Sequence, residues 1–184
     1  MFRELVKQVL GEIVSALESV TDAEAEAVVS ALLDAEKIVV HGAGRVGLAC
    51  KGFAMRLAHL GLHAFSVTDA AVPPVGKNDV VLLASSSGET QTVYDVEALG
   101  KQHGARIVLV TGSPKSRMTA LADHTILVKA QTKFGPSDDA QSIQPMATQF
   151  EQSLQVFFDV LVLMLMRRTR QAHSDLWNRH SNLD

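Results

Sequence analysis

The spacing of apolar residues is helical over about the first 35 positions of the chain. Four of these residues recur at every fourth position, with charged residues between them: Leu5, Val9, Ile13 and Leu17. This pattern predicts an amphipathic helix over about residues 2–18. Thr21, followed three residues later by Glu24, has the form of a capping box and predicts a second helix to about residue 35. Two helices are therefore expected before the first strand.

After about residue 36 the pattern changes to short β-branched or apolar runs that alternate with helical spacing. The runs fall at residues 37–41, 62–67, 80–84, 107–111 and 125–128. Strands that alternate with helices need crossover connections, and so predict a parallel sheet with helices on both faces. Ligands bind such sheets beyond the carboxyl ends of the strands, where the strand order reverses. The predicted fold class is therefore α/β, with a candidate binding edge formed by the turns after the first and third strands.

The last third of the chain combines a polar loop with one long helix. Residues 129–144 are polar and irregular, which predicts a loop. Pro145 suits the first turn of a helix that is predicted from about residue 146 past residue 166, with arginines near its negative end. Its most apolar part, residues 156–166, is interrupted by Asp159 and is shorter than the roughly 20 residues that cross a bilayer. We therefore expect a buried helix and no membrane span.

Composition and charge are those of an ordinary globular protein. The 184 residues suit one domain, with a helical extension over about 1–35, a sheet core over about 36–130 and a loop with helices over about 131–184. The net charge of -3 offers no basic excess for nucleic acid. Cys50 is the only cysteine, which favours a reducing compartment, and no signal peptide is visible. We expect a cytoplasmic protein that binds small polar or anionic ligands.

A hydroxyl-rich turn lies between the third predicted strand and the helix that follows it. It contains Ser85, Ser86, Ser87, Gly88 and Thr90. The first N–H groups of a helix have no partner within it, and the helix dipole favours negative charge there, so an anion is the natural ligand. The hydroxyls can donate hydrogen bonds, and the glycine lets the backbone curve around a tetrahedral group. The pattern indicates a phosphate site. The alternative is that one hydroxyl only caps the helix.

The turn after the first predicted strand, residues 42–47, has three glycines in the spacing G-x-G-x-x-G. This is the dinucleotide-binding fingerprint, and Asp69 follows at the end of the next strand, which makes an NAD enzyme one alternative. Against it, the chain leaves little room for a separate substrate domain, and the serine-rich turn would have no role. Arg45 could instead place a cation beside a phosphorylated substrate. A third interpretation is that the glycines only permit a tight turn.

Several stretches together resemble the sugar isomerase (SIS) domain family. These are the glycine turn at residues 42–47, the helix segment at 53–61 and the serine turn at 85–90. Within that family, residues 142–153 (SIQPMATQFEQS) and the tail 179–183 (RHSNL) are similar to the 6-phospho-3-hexuloisomerases. The serine turn marks the superfamily, whereas the last two stretches are more specific. The resemblance covers nearly the whole chain.

The resemblance implies a five-stranded parallel sheet in a flavodoxin-like, three-layer α/β/α sandwich, usually assembled as a tetramer. It also implies interconversion of D-arabino-hex-3-ulose 6-phosphate and fructose 6-phosphate through an enediol, the second step of ribulose monophosphate formaldehyde fixation, without a metal or redox cofactor. Ser86 and Ala147 depart from the family pattern, which commonly has glycine at both positions. Close backbone approach to the ligand is therefore not assured at either residue.

The resemblance also implies roles for individual residues. Glu151 lies in the segment similar to the family's catalytic glutamate region, and its carboxylate would carry a proton between adjacent substrate carbons. His59 and His180 fall in matching stretches and would move protons between substrate oxygens, and His180 could reach the site of another subunit. The ordinary alternatives are an ion-paired helix glutamate and structural histidines. The residues expected to bind the sugar phosphate are Gly44, Arg45, Arg56, Ser85, Ser86, Ser87, Gly88 and Thr90.

Besides the NAD enzyme, two other functions stay open from the sequence. A related SIS isomerase that acts on arabinose 5-phosphate or a heptose phosphate would use the same proton chemistry. A non-catalytic sugar-phosphate sensor would also use the serine turn. Such sensors usually carry a basic helix-turn-helix domain, for which the N-terminal segment is too short and too acidic. The presence of Glu151 also favours catalysis over sensing.

Overall fold

The computed structural model describes residues 1–132 and 142–183. In chain order the elements are α1 (Phe2–Leu17), α2 (Asp22–Asp34), β1 (Ile38–Gly42), α3 (Gly44–His59), β2 (Ala64–Ser66), β3 (Val80–Ser85), α4 (Gln91–Gln102), β4 (Arg106–Thr111), β5 (His124–Leu127), α5 (Thr148–Thr169) and α6 (His173–Trp177). The predicted capping box is formed, because the Thr21 hydroxyl accepts the N–H of Glu24 and the Glu24 carboxylate accepts the N–H of Thr21.

The five strands form one parallel sheet in the order β2-β1-β3-β4-β5, which confirms the predicted sheet. The chain leaves β1 toward β2 at one edge and then returns to β3 on the other side of β1. The connections after β1 and β3 therefore diverge and open a crevice at the carboxyl ends of these two strands. Both turns that the sequence indicated lie at this crevice, because one follows β1 and the other follows β3.

The two faces of the sheet carry separate apolar cores. Alternate residues of β3 point to opposite faces, so that Leu82 joins the core under α2, α3 and α5, and Leu83 joins the core under α4. On the first face the rings of Phe53 and Phe158 stack with centroids 4.3 Å apart, which joins α3 to α5. Helices cover both faces, as in a three-layer α/β/α sandwich. This packing fixes the starts of α3, α4 and α5 relative to the strands.

The last long helix begins later than the sequence predicted. Met146 has a left-handed backbone with φ 58°, which a continuous right-handed helix cannot contain. Ala147 is therefore the N-cap, and Thr148 is the first helical residue of α5. The placement of Pro145 in the first helical turn was wrong. The prediction for β2 was also too long, since that strand covers three residues.

A glutamate of α1 anchors the segment that leads into α5. The Glu12 carboxylate accepts hydrogen bonds from the Ser142 hydroxyl (2.6 Å), the Ile143 N–H (2.8 Å) and the Gln144 amide (2.9 Å). Burial alone would raise the pKa of Glu12, but these hydrogen bonds outweigh it and hold the pKa below its usual value. The loop predicted over residues 129–144 otherwise falls mostly on residues 133–141, which lie outside the described residues.

Helix α5 has 22 residues, so it is longer than the apolar segment noted in the sequence. By length and composition it could cross a membrane, and half of its most apolar window is buried inside the fold. Its inward side includes Phe150, Leu154, Phe158 and Leu161, each fully buried in the core. In this structure α5 therefore packs as a core helix.

Cys50 and Glu97 are among the ionisable side chains that are buried in the fold. Burial raises the pKa of the Cys50 thiol to about 12, so this cysteine packs as a small apolar residue, as predicted. Glu97 on α4 is fully buried, and neither of its carboxylate oxygens has a hydrogen-bond partner among the described residues. Burial raises the pKa of Glu97 to about 7, although the positive charges of Lys101 and Arg117 act in the opposite direction.

Candidate active site

Three helices begin at the same crevice. Helix α3 starts at Gly44 directly after β1, α4 starts at Gln91 after β3, and α5 starts at Thr148. Within the part of the chain that the structure describes, none of the three N-cap residues makes a side-chain capping hydrogen bond: Ala43, Thr90 and Ala147. Each start therefore presents N–H groups and the positive end of a helix dipole to one region. An anion suits this region, with a phosphate as the natural example.

A cavity of about 300 Å³ lies between these helix starts. It is lined by Ala43, Gly44, Arg45, Val46, Ala84, Ser85, Ser86, Ser87, Glu89, Thr90, Ala147 and Glu151. Its size is at the lower end of the range for small-molecule sites. The cavity thus brings together most of the predicted phosphate-binding residues and the predicted catalytic glutamate.

The serine turn is held in shape by its own hydroxyls. The Ser85 hydroxyl accepts the N–H of Gly88 at 3.1 Å and lies 3.0 Å from the Thr90 hydroxyl. The Ser87 hydroxyl accepts the N–H of Glu89 at 3.2 Å. Thr90 occupies the N-cap position of α4, but its side chain does not cap the helix among the described contacts. The turn is therefore organised before a ligand arrives, and the start of α4 faces the cavity.

The three glycines of the first turn have different surroundings. A Cβ on Gly47 would lie 2.5 Å from the Gly42 carbonyl oxygen, and a Cβ on Gly42 would lie 2.8 Å from Val46, so both glycines permit close packing of α3 on β1. Gly44 has a left-handed backbone with φ 59° and lines the cavity. The Asp69 carboxylate accepts the N–H of Ser66 at 2.7 Å and so closes the turn after β2.

Arg45 and Glu151 form an ion pair inside the cavity. The Arg45 Nη1 lies 3.1 Å from the Glu151 Oε2 and donates to the Thr148 hydroxyl at 3.4 Å. Glu151 lies in the first turn of α5, and its side chain is 13% exposed, whereas that of Arg45 is 59% exposed. The arginine thus orients the carboxylate from the solvent side. A carboxylate beside an anion site can transfer a proton on a bound phosphorylated ligand.

A second polar cluster lies at the opposite end of α3, and we name it the histidine cluster: Arg56, His59, Trp177 and His180. The rings of His59 and His180 have centroids 5.1 Å apart, and Arg56 Nη1 lies 3.3 Å from the His59 Nδ1. Fifteen residues separate Gly44 from His59, which is about 22 Å along a helix. Of the described residues that line the cavity, none belongs to this cluster.

Sequence reasoning missed the loop after β4, residues 112–119. The N–H of Gly112 donates to the Ser86 carbonyl at 3.0 Å, and Arg117 contacts Glu89 and Gln91. Gly88, which was predicted to bind phosphate, does not line the cavity, and its φ of 65° lets it pack against Ser116. The predicted sheet topology could have indicated that this loop lies beside the serine turn. A loop that follows a parallel strand lies at the same sheet edge as the serine turn.

The sheet order and the serine turn after β3 together define a parallel α/β domain with a candidate anion site at the carboxyl ends of its strands. The SIS domain family matches residues 31–167, which is well over half of the chain. The chain belongs to the SIS domain family.

Relatives that match most of the chain indicate a more specific similarity within the family. A 3-hexulose-6-phosphate isomerase of Bacillus subtilis is 32% identical over 181 residues, which cover 98% of both chains. A 3-hexulose-6-phosphate isomerase of Mycobacterium gastri is 35% identical over 148 residues, which cover 80% of this chain and 74% of that protein. The crystal structure of a Methanococcus jannaschii protein, from which the same molecular function was inferred, has a TM-score of 0.86 at 27% identity and covers 98% of this chain and 99% of its own.

Proposed function

We propose that the protein interconverts D-arabino-hex-3-ulose 6-phosphate and fructose 6-phosphate. The observation that carries the proposal is the shared cavity, in which three helix starts and the serine turn face the Glu151 carboxylate. An anion site beside a carboxylate is what a phosphosugar isomerase needs. The names of the relatives from Bacillus subtilis and Mycobacterium gastri support this choice of substrate.

The phosphate binds at the serine turn. Ser85, Ser87 and Thr90 supply hydroxyls, and the starts of α3 and α4 supply backbone N–H groups with favourable dipoles. Nothing lies within 4 Å of the position that a Cβ on Gly44 would occupy. Because glycine has no Cβ, the ligand can use this space and come close to the backbone. The phosphate does not react, so its binding energy serves to position the sugar carbons.

Glu151 acts as the base. Its carboxylate removes the proton from C2 of the hexulose 6-phosphate, and the electrons of that C–H bond form the C2–C3 double bond of an enediol. The carboxylic acid exchanges its proton in part with solvent and then returns a proton to C3, and the carbonyl forms at C2. Arg45 holds the carboxylate in place through an ion pair of 3.1 Å. The exchange is a proton shuttle, and no atom is gained or lost.

The histidine cluster completes the site from a neighbouring subunit. One proton must also move from the C2 hydroxyl to the oxygen on C3, and His59 and His180 can do this near neutral pH. His59 lies about 22 Å along α3 from the helix start at the cavity, and His180 packs beside His59, so a homotetramer would supply both in trans. Assembled in this way, the cytoplasmic enzyme would serve the second step of ribulose monophosphate formaldehyde fixation.

A coupled assay tests the proposed function. Hexulose 6-phosphate is generated in situ, and fructose 6-phosphate formation is followed through glucose-6-phosphate isomerase and glucose-6-phosphate dehydrogenase. The expected result is NADPH formation that depends on the protein, with solvent deuterium incorporated at C3. Turnover confined to arabinose 5-phosphate or a heptose phosphate would assign a different SIS isomerase. Tight fructose 6-phosphate binding without any carbon–hydrogen exchange would indicate a sensor.

A further inference from the structure

The loop after β4 packs directly against the serine turn. The Gly112 N–H donates to the Ser86 carbonyl at 3.0 Å, and the Met118 N–H donates to the Gly88 carbonyl at 3.4 Å. A Cβ on Gly88 would lie 2.1 Å from the Ser116 hydroxyl oxygen, so only glycine fits there without movement of the loop. The serine turn is therefore supported by a segment whose residues do not line the cavity.

One residue of the serine turn carries a charge that repels the predicted phosphate ligand. Glu89 lines the cavity, and its side chain is 49% exposed. A carboxylate at this place repels a phosphate dianion, because two negative charges a few ångströms apart destabilise each other even at a solvated surface. An anion site with such a residue binds phosphate well only if the carboxylate is neutralised and held aside.

Arg117 makes three contacts with Glu89. Its backbone N–H donates to the Glu89 Oε1 at 2.9 Å, and its Nη2 donates to the Glu89 carbonyl oxygen at 2.6 Å. Its Nε lies 3.3 Å from the Glu89 Oε2, which is an ion pair without hydrogen-bond geometry. The trans peptide is planar, so fixing the Glu89 carbonyl also points the Thr90 N–H away from Arg117. These contacts hold both the side chain and the backbone of Glu89.

The guanidinium of Arg117 is itself fixed by α4. Its Nη1 donates to the Gln91 side-chain oxygen at 2.8 Å, and its carbon lies 4.2 Å from the centroid of the Tyr94 ring. An arginine that stacks on an aromatic ring and hydrogen-bonds on two sides has little freedom to move. The position of Glu89 is thus determined by the first turn of α4.

We propose that Arg117 is a positioning residue of the phosphate site, which neutralises the Glu89 carboxylate and holds it beside the loop after β4. The serine turn then presents a net positive potential to a phosphate dianion. The inference rests on the proposed function only in taking a phosphorylated sugar as the ligand of the cavity. Arg117 contacts the turn and not the substrate, so it affects binding of the phosphate and leaves the proton-transfer step alone.

The test compares Arg117→Met, Glu89→Gln and the double variant with the wild-type protein. Binding of inorganic phosphate and of fructose 6-phosphate is measured by calorimetry, and kcat and KM are measured separately. Arg117→Met is expected to raise both Kd values and KM about tenfold with kcat within about twofold. Glu89→Gln should bind phosphate at least as tightly as wild type. The double variant should recover most of the lost affinity, since the repelling charge is gone.

A matched control and a conservative variant complete the design. Arg168→Met breaks another Arg–Glu ion pair with the same 3.3 Å separation, to Glu26, away from the turn, and should leave phosphate binding unchanged. If Arg117→Met does not fold, Arg117→Lys keeps the charge without the fork of donors and should give an intermediate Kd.

The outcomes separate the two proposals. Unchanged phosphate affinity in Arg117→Met or Arg117→Lys, or a double variant no better than Arg117→Met, overturns the role of Arg117 and leaves the isomerase proposal intact. A wild-type protein that binds phosphate in an Arg117-dependent way but shows no isomerase turnover overturns the proposed function alone. A wild-type protein that binds neither inorganic phosphate nor fructose 6-phosphate overturns both.

Discussion

The two ends of α3 differ in how their polar residues are brought together. At the N-terminal end, Arg45 faces Glu151 across a cavity, and the surrounding groups come from turns at one edge of the sheet. At the C-terminal end, Arg56 and His59 meet His180 of the chain's tail. The first arrangement follows from strand order. The second depends on a short terminal segment that docks through the Arg179 guanidinium, which donates to the His59 carbonyl at 3.0 Å.

The two ends of α3 therefore differ in the kind of proton transfer that their side chains suit. Under the proposed function, the N-terminal end supplies an anion site and a carboxylate, which would bind the phosphosugar and move a carbon-bound proton. The C-terminal end has two imidazoles, which suit proton transfer between oxygens. Helix α3 separates these two sets of residues within one chain, and each set lies at a different end of the helix. Three experiments test this division, and a fourth tests a buried glutamate outside it.

Glu151→Gln should abolish most of the chemistry at the N-terminal end. We expect kcat to fall about 100-fold or more with fructose 6-phosphate still bound, because the amide cannot accept the C2 proton while the serine turn is untouched. Steady-state kinetics and calorimetry measure the two effects. Glu4→Gln on the exposed part of α1 is the control and should behave as wild type. Normal turnover in Glu151→Gln would remove this residue from the mechanism.

His59→Asn and His180→Asn should each lower kcat at least tenfold if the C-terminal end serves the same reaction. Because the cluster lies far from the cavity in its own chain, mixing is the sharper test. Mixed oligomers of His180→Asn and Glu151→Gln subunits should regain activity, since some sites then combine an intact glutamate with an intact histidine. If verified mixed oligomers are no more active than the two single variants, the histidine cluster does not act in trans.

Glu97→Gln tests a glutamate that belongs to neither end. Its pKa is raised by burial to about 7, so the folded state binds a proton that the unfolded state releases near pH 4.5. Wild-type stability should therefore fall as the pH rises from about 4.5 to about 7, and then level off. Above pH 7 we expect Glu97→Gln to be more stable by on the order of 1–3 kcal/mol, with kcat unchanged. Denaturant unfolding at several pH values measures this, and a pH-independent difference would contradict it.

Ser87→Ala should have the smallest effect, on binding alone. Removing one hydroxyl from the anion site should weaken fructose 6-phosphate binding by about 1 kcal/mol, or about fivefold in Kd, with kcat nearly unchanged. Ser15→Ala, on the exposed side of α1, is the control for loss of a surface hydroxyl. Calorimetry that gave equal affinity for wild type and Ser87→Ala would count against the hydroxyl as a phosphate ligand.

Local patterns made much of the fold predictable. The Thr21 capping box, the strands β1, β3 and β4 and the serine turn depend on residues within a few positions of each other, so short windows contain the full signal. The parallel sheet followed from the alternation of strands and helices. The cavity could be anticipated in outline, because the turns after the first and third strands share one edge in such a sheet.

The parts that escaped prediction depend on contacts between distant residues. Arg117 meets Glu89 across 28 positions, and Glu12 meets Ser142 across 130, so no local spacing connects either pair. The start of α5 was misplaced because proline favours the first helical turn in general, whereas here Met146 adopts a left-handed backbone. The separation of the histidine cluster from Glu151 required the relative positions of α3, α5 and the tail.

The hydrogen bonds of Glu12 connect the first helix to the proposed catalytic end of the molecule. Its carboxylate secures residues 142–144, and these lead directly into the helix that carries Glu151. Shortening the protein from its amino end past this residue would remove these hydrogen bonds and untether the proposed general base.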